Sequence, residues 1–271
     1  MNTLHPYHRP LGSTGLSVSP LGLGTVKIGR NQGVKYPSGF ELPDDQQIRE
    51  LLALSRELGI NLLDTAPAYG ISEQRLGPLL LGQRQDWVLC SKVGEEFADG
   101  ESWFDFSATH TRQSVERSLQ RLHTDYLDLV LVHSNGDDLN VLAEEAYPTL
   151  QQLKQEGLIR AFGFSGKTVA GGLRALEQGD CAMVTWNLRE QTERPVLDFA
   201  LSHNKGILVK KALASGHICL QGEDPVSAGF ELVFSHPAVS SAIIGTINPV
   251  HLTQNVATAA RILERSNKHN D

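Results

Sequence analysis

The sequence predicts an α/β protein: eight parallel strands alternate with helices and close into a single barrel behind an N-terminal β-hairpin. Three observations carry this expectation. Eight short apolar runs alternate with amphipathic stretches, a pattern that demands a parallel sheet with helical crossovers, and eight such units close a barrel. The chain has 271 residues, and a barrel of this kind needs about 250. No Pro/Ser-rich linker or low-complexity tract interrupts it, so residues 1–271 read as one domain.

Taken in order, RPLGSTGLSVSP (9–20) carries Gly and Ser turn signals between strand-like pieces and reads as the hairpin. LGLGT (21–25) is the first barrel strand. A helix over 44–58 follows, with Ile48, Leu51, Leu52 and Leu58 on one face, Asp44 or Asp45 as cap and Gly59 as stop. INLLD (60–64) and a helix over 72–81 form the second unit, and WVLCSK (87–92) and a helix over 109–122 the third. YLDLVLVH (126–133) leads into a helix over 142–156, and IRAFGFS (159–165) into one over 168–178. AMVTWN (182–187) precedes a helix over 193–203, and GILVKK (206–211) one over 225–235. SSAIIG (240–245) and a helix over 248–264 complete the series. The long connections 26–43, 94–106 and 212–224 are candidates for ligand contact, because loops at the strand C-termini build the sites of such barrels.

Composition narrows the function classes. Hydrophobic content of 40% and charged content of 20% suit a globular chain with a sizeable core. The net charge of −7, with no basic block interleaved with aromatics, argues against a nucleic-acid partner. No apolar run has signal-peptide or membrane-span length, so a cytoplasmic location is expected. Cys90, Cys181 and Cys219 are an odd set without a C-x-x-C pair, which fits a reducing compartment and indicates neither a disulfide framework nor a metal site. Cys90 reads as a small buried residue.

Asp64, Lys92 and His133 each end a strongly apolar run, and Tyr69 follows Asp64 in the DTAPAYG loop (64–70). At the C-terminal mouth of a barrel such residues converge from distant parts of the chain. Together they suit one chemistry. A carbonyl that accepts hydride develops negative charge on oxygen and needs a proton. A tyrosine, with a reference pKa of about 10, is a proton donor that a neighbouring lysine ammonium makes more acidic. A carboxylate can hold the lysine in place, and a histidine can orient the carbonyl. Two decoys fail: SGKT (165–168) lacks the P-loop's first glycine, since Ala161 stands there, and LGLGTVK (21–27) has Lys27 at the third glycine position of the dinucleotide fingerprint.

The sequence resembles the aldo-keto reductase family over nearly its whole length. The match is carried by LGINLLDTAPAYG (58–70), Ser91-Lys92 and DYLDLVLVH (125–133). The resemblance implies a (β/α)8 TIM barrel that reduces aldehydes or ketones with NAD(P)H, or runs the reverse alcohol oxidation. It implies Tyr69 as general acid, Lys92 as modulator of its pKa, Asp64 as the lysine's partner and His133 as the carbonyl-orienting residue. For the cofactor it implies contacts from Ser165 and Asn187, and from Gly245, Thr246, Asn248, His251 and Asn255 in the segment GTINPVHLTQN (245–255).

Departures from the family pattern cluster on the cofactor side. Gly166 and Met183 replace the usual Asn and Gln, and Lys210-Lys211 replace a Tyr-Ser pair, so the two lysines are expected to meet the pyrophosphate. His251 stands where an arginine usually grips a 2′-phosphate. NADPH is therefore expected, with weaker discrimination against NADH than is usual. Trp103 and Phe104 are expected to form an apolar wall of the substrate pocket. The partner is a small carbonyl compound; its identity and the oligomeric state stay open. The alternatives are a cofactor-binding regulatory or scaffold subunit with little turnover, and a lyase that uses Lys92 as a Schiff base.

Overall fold

The computed structural model describes residues 3–34, 36, 39–216 and 224–268; Cys219 and the centre of the 212–224 connection lie outside them. The barrel strands are β3 (Leu21–Gly24), β4 (Leu62–Asp64), β5 (Val88–Val93), β8 (Leu127–His133), β9 (Ile159–Ser165), β10 (Cys181–Thr185), β11 (Gly206–Lys210) and β12 (Val239–Ile244). They pair in parallel in chain order, and β12 pairs with β3 to close the ring. The expected (β/α)8 barrel is present.

Helices between the strands end where local chemistry ends them. In α2 (Asp45–Glu57), the Asp44 side chain accepts from Gln47 N while the Gln47 side chain accepts from Asp44 N, a reciprocal cap that satisfies two orphan donors. Ser107 caps α4 (Ala108–Arg121), Thr168 caps α7 (Val169–Gln178) and Asp224 caps α9 (Pro225–Ser235). The remaining helices are α1 (Val26–Gly29), α3 (Ser72–Leu79), α5 (Asp138–Ala143), α6 (Ala146–Gln155), α8 (Arg194–Ser202) and α10 (Pro249–Lys268).

The N-terminal hairpin, β1 (Arg9–Pro10) with β2 (Ser17–Val18), is antiparallel as expected. Its Leu11, Leu16 and Val18 pack with Leu62, Val88, Cys90, Leu129, Leu131, Cys181, Met183 and Leu208 in the barrel interior. The hairpin therefore plugs one end of the barrel, and the other end stays open. A larger shell of aliphatic and aromatic side chains fills the space between strands and helices.

Two features differ from the sequence expectation. The helix expected over 142–156 is two helices, α5 and α6, and Glu144 between them is extended. Pro148 is the reason: inside one continuous helix its ring would clash with the carbonyl four residues earlier, that of Glu144. The connection expected as a loop over 94–106 contains a second hairpin, β6 (Glu95–Ala98) with β7 (Glu101–Phe104). Asp99 and Gly100 form its two-residue turn with φ of +54° and +86°, the conformation that Asp-Gly favours. Among the described residues no helix is long and apolar enough to cross a membrane, and no cluster of three potential metal ligands occurs.

Candidate active site

Strand parity sets the site. Side chains two residues apart on a strand share a face. Leu62, Cys90, Leu131 and Leu208 belong to the inner cluster. Asp64, Lys92, His133 and Lys210 are the next inward positions on β4, β5, β8 and β11, and all four line the cavity at the open end. Each polar crown residue thus rests on an apolar layer that excludes water from beneath.

Tyr69 comes from a single 3-10 turn (Pro67–Tyr69) after β4. Gly70 makes that turn possible. It has φ +63°, and a Cβ there would lie 2.3 Å from the Gly29 carbonyl oxygen. No L side chain fits both demands.

The Lys92 ammonium donates to Asp64 Oδ1 at 2.5 Å, to the Thr65 carbonyl at 3.0 Å and to the Tyr69 hydroxyl at 3.0 Å. An ammonium has three donors, so each has an acceptor and the nitrogen is fixed. Tyr69 OH also lies 3.3 Å from Asp64 Oδ2. Burial alone would lower the Lys92 pKa, but Asp64, Tyr69 and Cys90 outweigh it and the group is held above its ordinary value. A lysine held so firmly as a cation is a poor Schiff-base nucleophile.

The phenol departs from expectation. Burial and the Asp64 charge push the Tyr69 pKa well up, and the opposing pull of Lys92 does not cancel them. Lys92 acts in the expected sense, but the net direction is the reverse of the one expected. Tyr69 is therefore a neutral phenol across the ordinary pH range, still carrying the proton a donor needs.

His133 brings a partner that the sequence reading missed. Its Nδ1 lies 2.7 Å from Glu95 Oε2. Nδ1 does not meet full hydrogen-bond geometry, but a carboxylate oxygen at that distance repels a bare ring lone pair and favours the tautomer that carries its proton on Nδ1. Glu95 is the first residue of β6, and its Oε1 accepts from Ser102 Oγ at 2.7 Å across the hairpin. Burial would raise the Glu95 pKa, but His133, Ser102 and Arg30 overcome this and lower it to about 2. Burial lowers the His133 pKa, Glu95 opposes that shift, and Lys92 and Lys210 add to it. The Asp99-Gly100 turn was the one sequence signal that could have found this hairpin.

The cavity measures about 700 Å³ and runs from these residues to the start of α10. Ser165, Lys210, Lys211, Gly245, Thr246, His251 and Asn255 line it. Two expected cofactor contacts do not. Asn187 turns its side chain to backbone, donating to the Lys211 carbonyl at 3.0 Å and accepting from Arg189 N and Glu190 N. Asn248 caps α10 by accepting from Val250 N and His251 N, so it occupies donors that a phosphate would use. Trp103 and Phe104 do not line the cavity either. They stand exposed on β7, packed on His110 and Phe106, because the hairpin carries them outward. Lys27 and Arg30 face the cavity instead.

Lys210 Nζ donates to Ser165 Oγ at 3.0 Å and to the Gly166 carbonyl at 2.5 Å. Ser165 is the register partner of His133, so Lys210 stands at the Tyr69–His133 end of the cavity, not at its distal end. Burial lowers its pKa to about 8, with Lys211 adding like-charge repulsion and Glu193 opposing.

The Aldo/keto reductase family model matches residues 20–231, and the chain belongs to that family. A crystal structure of a Pseudomonas aeruginosa protein assigned as an aldo-keto reductase is 65% identical, with a TM-score of 0.89 over 97% of this chain and 98% of that one. L-galactose dehydrogenase of Arabidopsis thaliana is 32% identical over 227 residues, 79% of this chain and 67% of that enzyme. D-arabinose 1-dehydrogenase of Saccharomyces cerevisiae is 35% identical over 155 residues, and the matched region spans 43% of its length.

Proposed function

We propose that the protein is an NAD(P)H-dependent oxidoreductase that interconverts aldehydes or ketones with the corresponding alcohols. The observation that carries this reading is the Tyr69 hydroxyl held at 3.0 Å by a fully paired Lys92 at the cavity wall. In reduction Tyr69 gives its proton to the developing alkoxide. An alkoxide is far more basic than a phenolate, so transfer is downhill even from a phenol whose pKa is raised. Lys92, three N–H bonds fixed, then stabilises the phenolate. Asp64 keeps Lys92 charged and aimed. His133 points a ring nitrogen at the carbonyl oxygen and sets its direction.

The residues present suit a dinucleotide. Gly24 and Gly245 leave the wall bare: a Cβ on Gly24 would meet Ile243 at 2.9 Å, and one on Gly245 would meet the Tyr36 hydroxyl at 3.1 Å. Lys210 and Lys211 supply positive charge for an anionic ligand. When bound, the nicotinamide supplies or accepts the hydride. Ser165 and Lys210 would hold its reaction end, and Thr246, His251 and Asn255 its adenosine end. NADPH is the expected form. His251 lacks the forked guanidinium that an arginine would offer a 2′-phosphate, which leaves NADH usable.

Lys27, Arg30 and Glu95 give the substrate side a charged rim, which suits a small hydroxylated carbonyl compound better than an apolar one. L-galactose dehydrogenase and D-arabinose 1-dehydrogenase, two of its relatives, point the same way. Steady-state assays test the proposal: NADPH and NADH oxidation with a panel of aldehydes and ketones, and NAD(P)+ reduction with aldoses. Turnover with hydroxylated carbonyls or aldoses is expected. Tight cofactor binding with no turnover on any of them would favour the regulatory-subunit reading instead.

A further inference from the structure

We propose that Glu95 is a positioning residue that locks His133 as its Nδ1–H tautomer. Nε2 then donates to a carbonyl only as imidazolium and accepts from an alcohol when the ring is neutral. This inference rests on the reaction proposed above and deepens it, because it ties the direction of catalysis to one carboxylate.

The geometry leaves little freedom. A carboxylate ionised throughout the working range has no proton to give, so a bare Nδ1 lone pair would face its charge at 2.7 Å, and the ring is stabilised by carrying its proton on that nitrogen. The carboxylate is restrained, because its other oxygen accepts from Ser102 on the facing strand. Arg30 adds favourable charge from the α1 side. His133 Nε2 makes no hydrogen bond among the described residues and is left to the cavity. A neutral Nδ1–H imidazole has only a lone pair at Nε2, which accepts the hydroxyl of an alcohol. Adding a proton turns the same atom into a charge-assisted donor aimed at a carbonyl oxygen.

The charges around the ring make Glu95 decisive. Lys92 on β5 and Lys210 on β11 both disfavour the imidazolium, as does burial. Asp64 and Tyr69 are tied to Lys92, and Glu193 opposes Lys210. Glu95 is the carboxylate in contact with the ring. Without its charge, Lys92 and Lys210 still act on the ring and the contacting carboxylate that opposes them is gone.

The test combines a ring measurement with a pH profile. Side-chain nitrogen NMR of His133 in the wild-type protein should show the Nδ1–H form when neutral. In Glu95→Gln, which keeps size and polarity but removes the charge, the His133 pKa should fall by about 1 unit or more, the shift an adjacent opposite charge supports. The high-pH limb of kcat/KM for reduction should move down by the same amount, while alcohol oxidation persists to lower pH. A merely structural role would scale rates at every pH without moving the limb. An Nε2–H tautomer in the wild type overturns the proposal, as does an unshifted ring titration or an unshifted limb in the variant. The wild-type ring measurement needs neither a variant fold nor turnover. An Nδ1–H ring in a protein that turns over no carbonyl would therefore sink the reaction and leave the tautomer lock standing.

Discussion

Lys92 and Lys210 are both buried lysines of the crown, and their surroundings send them in opposite directions. Lys92 has a carboxylate at 2.5 Å and stays a cation. Lys210 has only a hydroxyl and a carbonyl as hydrogen-bond partners, so burial prevails and its pKa falls to about 8. Below that pH Lys210 is an ammonium, which favours the anionic dinucleotide proposed above; above it the charge is lost. Titration calorimetry with NADP+ should therefore show affinity weakening as pH rises through about 8. Lys210→Met should flatten that dependence and weaken binding at pH 7 by about tenfold, the value of one charge-assisted hydrogen bond. Asp64, Lys92 and His133 were legible in the sequence because a titratable residue at the end of an apolar strand stands out. Glu95 was not, because a glutamate after Gly94 in an apparent loop resembles any solvated surface charge. The net pKa direction of Tyr69 was also hidden, since it depends on how deeply the ring is buried, and no spacing reports that.

Short elements decide where the side chains of the site can go. The Tyr69 turn presses on α1 through Gly70 and Gly29, both of which lack room for a Cβ. Gly70→Ala would combine a left-handed φ with a backbone clash. Left-handed strain alone costs on the order of 1–3 kcal/mol. Denaturant unfolding should show at least that loss, and turnover should fall because the phenol is displaced from Lys92. Unchanged stability and turnover would mean the turn is not held as described. The β6–β7 hairpin delivers Glu95 to His133 and carries Trp103 and Phe104 away from the cavity. Its strands are short, and all four residues of β7 are exposed, so it has no apolar alternation to read. Asp99-Gly100 was its one clear signal. The break between α5 and α6 was similarly readable from Pro148, whose ring forbids the helical carbonyl at Glu144.

At the scale of the whole molecule, eight apolar runs in series sufficed to predict the barrel, because parallel strands buried on both faces are apolar along their length. The N-terminal hairpin was expected, but its role as a plug depends on tertiary packing. Leu11 is fully buried at that end. Leu11→Ala should cost about 2–5 kcal/mol, as buried leucines do, as measured by denaturant unfolding, while the distant open mouth keeps its cofactor affinity. Loss of cofactor binding without loss of stability would contradict this division between a closed floor and a working rim. The cofactor side was the least legible part: Asn187 and Asn248 carry suitable chemistry at suitable positions, yet both are engaged by local backbone, which only coordinates reveal. The proposed reaction rests on proton donation by the Tyr69 phenol bonded to Lys92. The most direct measurement is single-turnover carbonyl reduction by Tyr69→Phe beside wild type, with NADPH affinity measured on the same samples. A fall of about 10²–10⁴-fold in rate, the span of general acid catalysis, with NADPH binding retained is the predicted result; a rate near that of wild type would contradict it.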